Sequence, residues 1–224
     1  MNMRRFPAVQ YIAPFAVFLA CLAVVPLLAI PQPWESIAWV VVVAATIALT
    51  SRDLVASFRF PQWMLSVAVG VAVFILWVAP DALIPGWRDS WIFQNGITGH
   101  LKVSIKPTEL ADPLVMWLRI ARAVILVPIL EEIFWRGWLP RWLKDSNFER
   151  VPLGTYTTFA FIVTAVLFAS EHGPFWEVGL LAGIIYNWWM WRTKSLGDLV
   201  LAHAVTNGCL AAYVVFTHQW QFWM

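Results

Sequence analysis

Apolar runs, interrupted by short polar or proline- and glycine-containing stretches, set the rhythm of this chain. Seven of them are long enough, or nearly so, to cross a bilayer: Tyr11–Ile30, Ser36–Thr50, Pro61–Ala79, Pro113–Leu139, Thr157–Ser170, Phe175–Trp191 and Leu196–Thr217. A spanning helix needs ~20 residues, so the second, fifth and sixth must borrow flanking residues or sit short. Pro31-Gln-Pro33, Arg59-Phe-Pro61 and Gly173-Pro174 punctuate the runs. Such residues end helices by removing a donor or relaxing the backbone. The pattern predicts an all-α polytopic membrane bundle of about seven transmembrane helices, one integral domain over residues 1–224 with no internal repeat.

Composition agrees. Of the 224 residues 61% are hydrophobic and only 12% charged, where a soluble domain carries about a quarter charged residues. The 16 tryptophans suit the membrane–water interface, where the ring is buried and the N–H stays wet. Trp34, Trp63, Trp87, Trp91, Trp138, Trp142, Trp191 and Trp220 all fall near the ends of apolar runs. A net charge of +2 with no basic run argues for no nucleic-acid partner. Cys21 and Cys209 both lie inside apolar runs, which does not suit a structural disulfide. Phe18-Leu19-Ala20-Cys21 faintly resembles a lipoprotein cleavage site, but the apolar run continues past it, as in an ordinary first span.

Lysine and arginine predict the orientation. With the N-terminus inside, the inner side collects Arg4, Arg5, Arg52, Arg59, Arg141, Lys144, Arg150, Arg192 and Lys194, and the outer side only Arg88, Lys102 and Lys106. This is the positive-inside pattern, and seven spans then place the C-terminus outside. The longest connection, about residues 80–112, mixes Gly, Pro and polar residues with Trp and Ile. A loop this long in a compact bundle is usually functional or partly embedded.

Charged groups in hydrocarbon persist when they are paired or used. The fourth run carries Glu131-Glu132-Ile-Phe-Trp-Arg136. Adjacent carboxylates point about 100° apart on a helix. Glu132 and Arg136, four apart, can pair on one face; a structural salt bridge explains those two and leaves Glu131 over. His172 ends the fifth run in Phe168-Ala-Ser-Glu171-His172, and alone it reads as a loop histidine. His203 and Asn207 share one face of the seventh helix, and alone they serve as interhelical glue as well as they serve function. Arg119 and Arg122 read first as structural, snorkelling or pairing with Asp112 or Glu109. The combination carries more. A carboxylate and an imidazole can activate water directly or ligate a divalent metal that does so. A second imidazole and an amide can donate to an oxyanion.

Glu131-Glu132-x-x-x-Arg136, Phe168-x-x-x-His172 and His203-x-x-x-Asn207, in this order on successive helices, resemble the CPBP family. That family includes the type II CAAX prenyl proteases (Rce1-like) and bacteriocin-processing and immunity proteins. The resemblance covers a core of about residues 113–217. It implies an intramembrane endopeptidase, with Glu131 and His172 activating water, His203 and Asn207 stabilising the oxyanion, and Glu132 and Arg136 bracing the site. If a metal such as zinc is bound, its implied ligands are Glu131, His172 and His203; a metal-independent glutamate mechanism stays open beside it. The C-terminal stretch from His203 through Gln219-Trp220-Gln221-Phe222-Trp223 also resembles a bacterial subgroup found with exosortase and PEP-CTERM sorting systems. That implies a multi-pass protein of a bacterial inner membrane, acting on a membrane protein or peptide within the lipid bilayer. Two positions depart from the family pattern. Trp135 stands where Phe is common. Glu171 stands where a small or apolar residue is common, and would hinder His172 as base or ligand unless it points away.

Two other readings compete: a small transporter or proton-relay protein using the same intramembrane groups, and a catalytically silent binding or immunity member of the family. The absence of a repeat argues against the first and the intact motifs against the second. Depth raises one further expectation. His203 lies only ~9–12 Å from the inner start of its helix, so that helix must tilt or begin deeper to meet Glu131 and His172.

Overall fold

The computed structural model describes residues 6–101, 106–110 and 112–223. Of the residues used above to orient the chain, Arg4, Arg5 and Lys102 lie outside the described residues. Seven helical rods match the seven apolar runs. They are α1 (Val9–Val24, prolonged by a 3-10 turn Val25–Leu28), α2 (Trp34–Thr50), α3 (Trp63–Leu83), α4 (Pro113–Lys144), α5 (Thr158–Ser170), α6 (Trp176–Thr193) and α7 (Leu196–Thr217). Among the described residues the only β pairing is an isolated bridge between Asn95 and Gly99.

Four segments, Val9–Leu28, α3, α4 and α7, are long and apolar enough to cross a membrane. Helices α2 and α5 are apolar but short, at 17 and 13 residues. At 1.5 Å per residue α5 spans only ~20 Å, less than a ~30 Å hydrocarbon core. Helix α6 has 18 residues but mixes Glu177, Asn187 and several tryptophans with its apolar positions. It buries Val178, Gly179, Ala182, Gly183, Tyr186, Asn187, Trp189 and Met190. Protein rather than lipid covers much of this helix, so polar groups on it can find partners.

Helix α7 packs most extensively along α3, and α6 along α5. The α3–α7 approach depends on Gly70, where a Cβ would lie 2.3 Å from the Ala202 carbonyl oxygen. The Thr206 hydroxyl donates across this contact to the Gly70 carbonyl at 2.8 Å. Close backbone approach at small residues is how membrane helices gain packing where lipid supplies no hydrophobic drive.

Local sequence explains the helix ends. Asp112 accepts from Leu114 N–H at 2.9 Å before Pro113, Thr157 from Ala160 N–H at 3.2 Å, and Ser195 from Asp198 N–H at 3.2 Å. Such caps satisfy otherwise orphaned donors. Asp198, at the entrance of α7, instead caps α3: its carboxylate accepts from Gln62 N–H at 3.0 Å and the Ser66 hydroxyl at 3.2 Å. Leu196, Gly197 and Asp198 are all buried.

The long connection is pinned by Arg88. Its guanidinium bonds Asp81 at 2.8 Å, Glu177 at 2.8 Å and the Pro174 carbonyl at 2.6 Å, and stacks on Phe175 at 3.8 Å. The described part of this loop is thus anchored to α3 and the start of α6.

Candidate active site

The site begins with a defect in α4. Residues Arg122–Leu126 form a π-helical turn, and Val127 N–H bonds back five residues to the Arg122 carbonyl. In that register the partner of the Ala123 carbonyl would be residue 128, which is proline and has no N–H. The freed Ala123 carbonyl accepts instead from Asn207 Nδ2 at 2.8 Å. The extra residue of a π-turn also rotates what precedes it by ~100°. Arg122 and Glu131, nine positions apart, would oppose each other on a regular helix; the bulge brings them within about 80°.

Beyond the bulge α4 carries the two glutamates. Glu132 is fully buried and accepts from Arg136 Nη1 through both carboxylate oxygens at 3.1 Å, the i,i+4 pair that the spacing predicts. It also meets His203 Nδ1 at 2.7 Å, a bond between α4 and α7 that spacing could not reveal. A carboxylate held by Arg136 is an acceptor, so Nδ1 carries the proton in this bond. Arg136 Nε donates to Asn187 Oδ1 at 3.0 Å and Nη2 to the Gly183 carbonyl at 3.4 Å. Asn187 Nδ2 in turn donates to the Phe161 carbonyl at 2.9 Å. The Arg136 guanidinium also lies over the Phe168 ring at 4.3 Å. One buried ion network thereby joins α4, α5, α6 and α7.

Phe168 occupies the middle of this arrangement. Its ring centroid is 4.7 Å from His172 and 6.3 Å from His203, so the two imidazoles flank one aromatic ring. His172 Nδ1 lies 2.7 Å from the Phe168 carbonyl. A carbonyl only accepts, so Nδ1 carries the proton and Nε2 keeps its lone pair. Trp77 borders the ring edge-on at 5.1 Å, and a Cβ at Gly179 would sit 3.0 Å from His172 Nδ1. Tyr186 lies against His203 at 5.2 Å, and its hydroxyl donates to Thr206 at 2.7 Å.

Glu131, His172, His203 and Asn207 line one cavity of about 440 Å³. Its wall also includes Phe18, Leu19, Leu22, Trp39, Arg119, Arg122, Phe222 and Trp223. The Glu131 carboxylate makes no hydrogen bond or ion pair with any described residue. Glu132 and Arg136 stand behind the wall rather than in it. Glu171 lines the same cavity, so it does not leave the site as a helix neighbour of His172 was expected to. The buried Trp135 indole N–H, without a full hydrogen bond, is its near neighbour. As for the implied ligands Glu131, His172 and His203, no three His, Cys, Asp or Glu side chains among the described residues are grouped closely enough to hold a metal ion. The donor set as it stands does not fit one.

Asn187, Tyr186 and Glu171 were not read from sequence as parts of the site. Asn187 carried a usable signal, a lone amide within an apolar run. Glu171 was visible only as a departure from pattern, and Tyr186 looked like any interfacial aromatic. Arg122 forms no pair with Asp112 or Glu109, one of the two structural roles expected of it; it stacks on Trp39 at 4.3 Å.

Fold and site together define a helical membrane bundle with a largely apolar cavity into which a few polar side chains converge. Residues 113–209 match the family model of Rce1-like proteins, described as type II CAAX prenyl endopeptidase Rce1-like. The match runs from α4 through the polar face of α7, a little less than half of the chain. It supports the CPBP/Rce1-like family and, in general terms, an intramembrane endopeptidase. No curated protein and no solved structure matches the chain.

Proposed function

We propose that this protein hydrolyses a peptide bond of a membrane-associated protein, using Glu131 and His172 to activate water. The observation that carries the reading is convergence: Glu131 of α4, His172 from the turn after α5, and His203 and Asn207 of α7 line one cavity. The Glu131 carboxylate has no hydrogen-bond or ion-pair partner among the described residues. It is available to take a proton from water and return it to the leaving amine. His172, with Nδ1–H fixed on a carbonyl, offers Nε2 as the acceptor that orients that water.

Asn207 spends one amide proton on Ala123 and keeps the second for the oxyanion. His203, with Nδ1–H held on the Glu132 carboxylate, becomes the second donor when Nε2 takes up a proton during the reaction, and that carboxylate supplies the counter-charge. Arg136 holds Glu132 in place. With the lysine and arginine bias setting the N-terminus inside, the protein is a multi-pass membrane enzyme. The narrower placement, beside an exosortase system in a bacterial inner membrane, is supported by the resemblance of the C-terminal stretch.

The test compares membranes of cells expressing wild type, Glu131→Gln or His172→Ala at equal protein levels, with new chain ends mapped by mass spectrometry. Ends present with wild type and lost with both variants are expected. The same ends in all three samples would remove the proteolytic reading. Ion flux through the reconstituted protein would then favour a transporter.

A further inference from the structure

The first part of the long connection reaches the site from outside it. Its own bonds keep it compact: Gln94 Nε2 donates to the Arg88 carbonyl at 2.7 Å, and Gln94 Oε1 accepts from Leu101 N–H at 3.1 Å. Arg88 points inward and is 3% exposed. Its Nε donates to Asp81 of α3 at 2.8 Å. Its Nη1 donates to Glu177 of α6 at 3.1 Å and to the Pro174 carbonyl at 2.6 Å. The Phe175 ring covers the guanidinium face at 3.8 Å. One buried cation therefore grips the end of α3, the start of α6 and the turn between α5 and α6. Bonds of this charge-assisted kind are short and strong, and their geometry is fixed by the planar fork.

The gripped turn is the one that carries His172. Pro174 follows His172 by two residues, Gly173 between them adopts φ +50°, and Phe175 N–H bonds the His172 carbonyl at 2.9 Å. No side chain caps the start of α6 or the 3-10 turn before it; the fixed point there is the bond from Arg88 to Pro174. Phe175 also stacks on Trp77 at 6.4 Å, with the ring planes 17° apart, and Trp77 borders the His172 ring at 5.1 Å. Arg88 thus reaches His172 by two routes, through the backbone of the turn and through Phe175 and Trp77. Arg88 does not itself line the cavity.

We propose that Arg88 is a positioning residue for His172. By holding the turn it keeps the ring's Nδ1–H on the Phe168 carbonyl and leaves Nε2 free for the cavity. The use of that Nε2 on water rests on the proteolytic reading; the placement of the ring does not.

The test reads the tautomer directly. The detergent-purified full-length protein, labelled with nitrogen-15 at histidine, has only four imidazoles, and His172→Ala and His203→Ala assign the two that matter. At about pH 8, above the ordinary titration range of histidine, each of these rings in wild type should give two well-separated nitrogen signals. Both hold Nδ1–H on an acceptor. Three variants follow. Arg88→Gln removes the grip. Arg88→Gln with Glu177→Gln removes it without leaving two carboxylates to face each other. Asn95→Ala frees the loop tip, where Asn95 bonds the Trp91 carbonyl at 2.9 Å and Ile97 N–H at 2.8 Å, and leaves Arg88 alone. In both Arg88 variants the His172 signals should move toward the averaged position of exchanging tautomers while those of His203 stay put. Asn95→Ala should move neither. Formation of the Glu131-dependent chain ends should fall about tenfold or more in the Arg88 variants, as for a displaced catalytic group.

His172 signals that stay fixed in both Arg88 variants, or that are already averaged in wild type, overturn the proposal. So does His203 loosening together with His172, which would make Arg88 a general brace of the bundle. Loosening in the single variant alone would trace the effect to the stranded carboxylates, and equal loosening in Asn95→Ala to the loop as a whole; either result also overturns it. Averaged His172 signals in the Arg88 variants, with chain ends indifferent to Glu131→Gln, would keep this placement and remove the proteolytic reading. Glu131-dependent ends with His172 unmoved by either Arg88 variant would do the reverse.

Discussion

The buried network behind the cavity makes a quantitative prediction. Glu132 holds two bonds from Arg136 at 3.1 Å and one with His203 at 2.7 Å, and Glu132 and Arg136 are both buried. Removing one partner of such a pair leaves a charge without compensation, which costs about 3–5 kcal/mol. Arg136→Met strands the carboxylate with His203 as its remaining donor. Glu132→Leu strands the guanidinium with only the Asn187 and Gly183 oxygens. The double variant strands no charge. What it leaves is unpaired neutral groups at Asn187, Gly183 and His203, about 1–3 kcal/mol each in the worst case. The two single losses should therefore exceed the double by about 2–3 kcal/mol, within the range of coupling between contacting residues. Reversible unfolding in dodecyl maltoside micelles titrated with SDS, followed by tryptophan fluorescence, measures all four corners of the cycle. Additive losses, or single losses under about 1 kcal/mol as for an exposed pair, would refute the network as the clamp of the site.

Two further outcomes follow from local geometry. Gly179→Ala sets a methyl 3.0 Å from His172 Nδ1, in competition with the ring's bond to the Phe168 carbonyl. Turnover on the cognate substrate should fall about ten- to hundredfold, as for a displaced catalytic group, with the unfolding midpoint nearly unchanged; full activity would show that the ring's pose is immaterial. Pro128→Ala returns a backbone N–H to α4 and removes a residue that costs ~3 kcal/mol in a helix interior. Stability measured by the same unfolding assay should hold or rise while cleavage falls, because the new donor competes with Asn207 for the Ala123 carbonyl. Loss of stability with cleavage intact would show that the bulge has another origin.

Much of the architecture is legible in one dimension because lipid imposes a simple rule. A segment of about 20 apolar residues must satisfy its own backbone, so it becomes a helix, and all seven runs did. Helix α6, the mixed one, buries Tyr186, Asn187 and six other residues against protein, where hydropathy is a weaker guide. The Glu132–Arg136 pair was equally readable, since four residues make one turn. The partnership of Glu132 with His203 was not, because it joins residues 71 positions apart and depends on the approach of α7 to α4. Asp198 shows the same limit: it opens α7 in sequence, and only packing reveals that it caps α3.

The cavity makes the division clearest. Sequence alone determined which polar groups enter the bundle and their order on successive helices. Tertiary structure decided which of them meet. The π-turn at Arg122–Leu126 rotates Arg122 toward Glu131, and the Ala123 carbonyl, which Pro128 cannot meet in that register, becomes the anchor of Asn207. A one-residue change of register turns a helix face by about 100°, so no periodicity drawn for a regular helix could place these side chains.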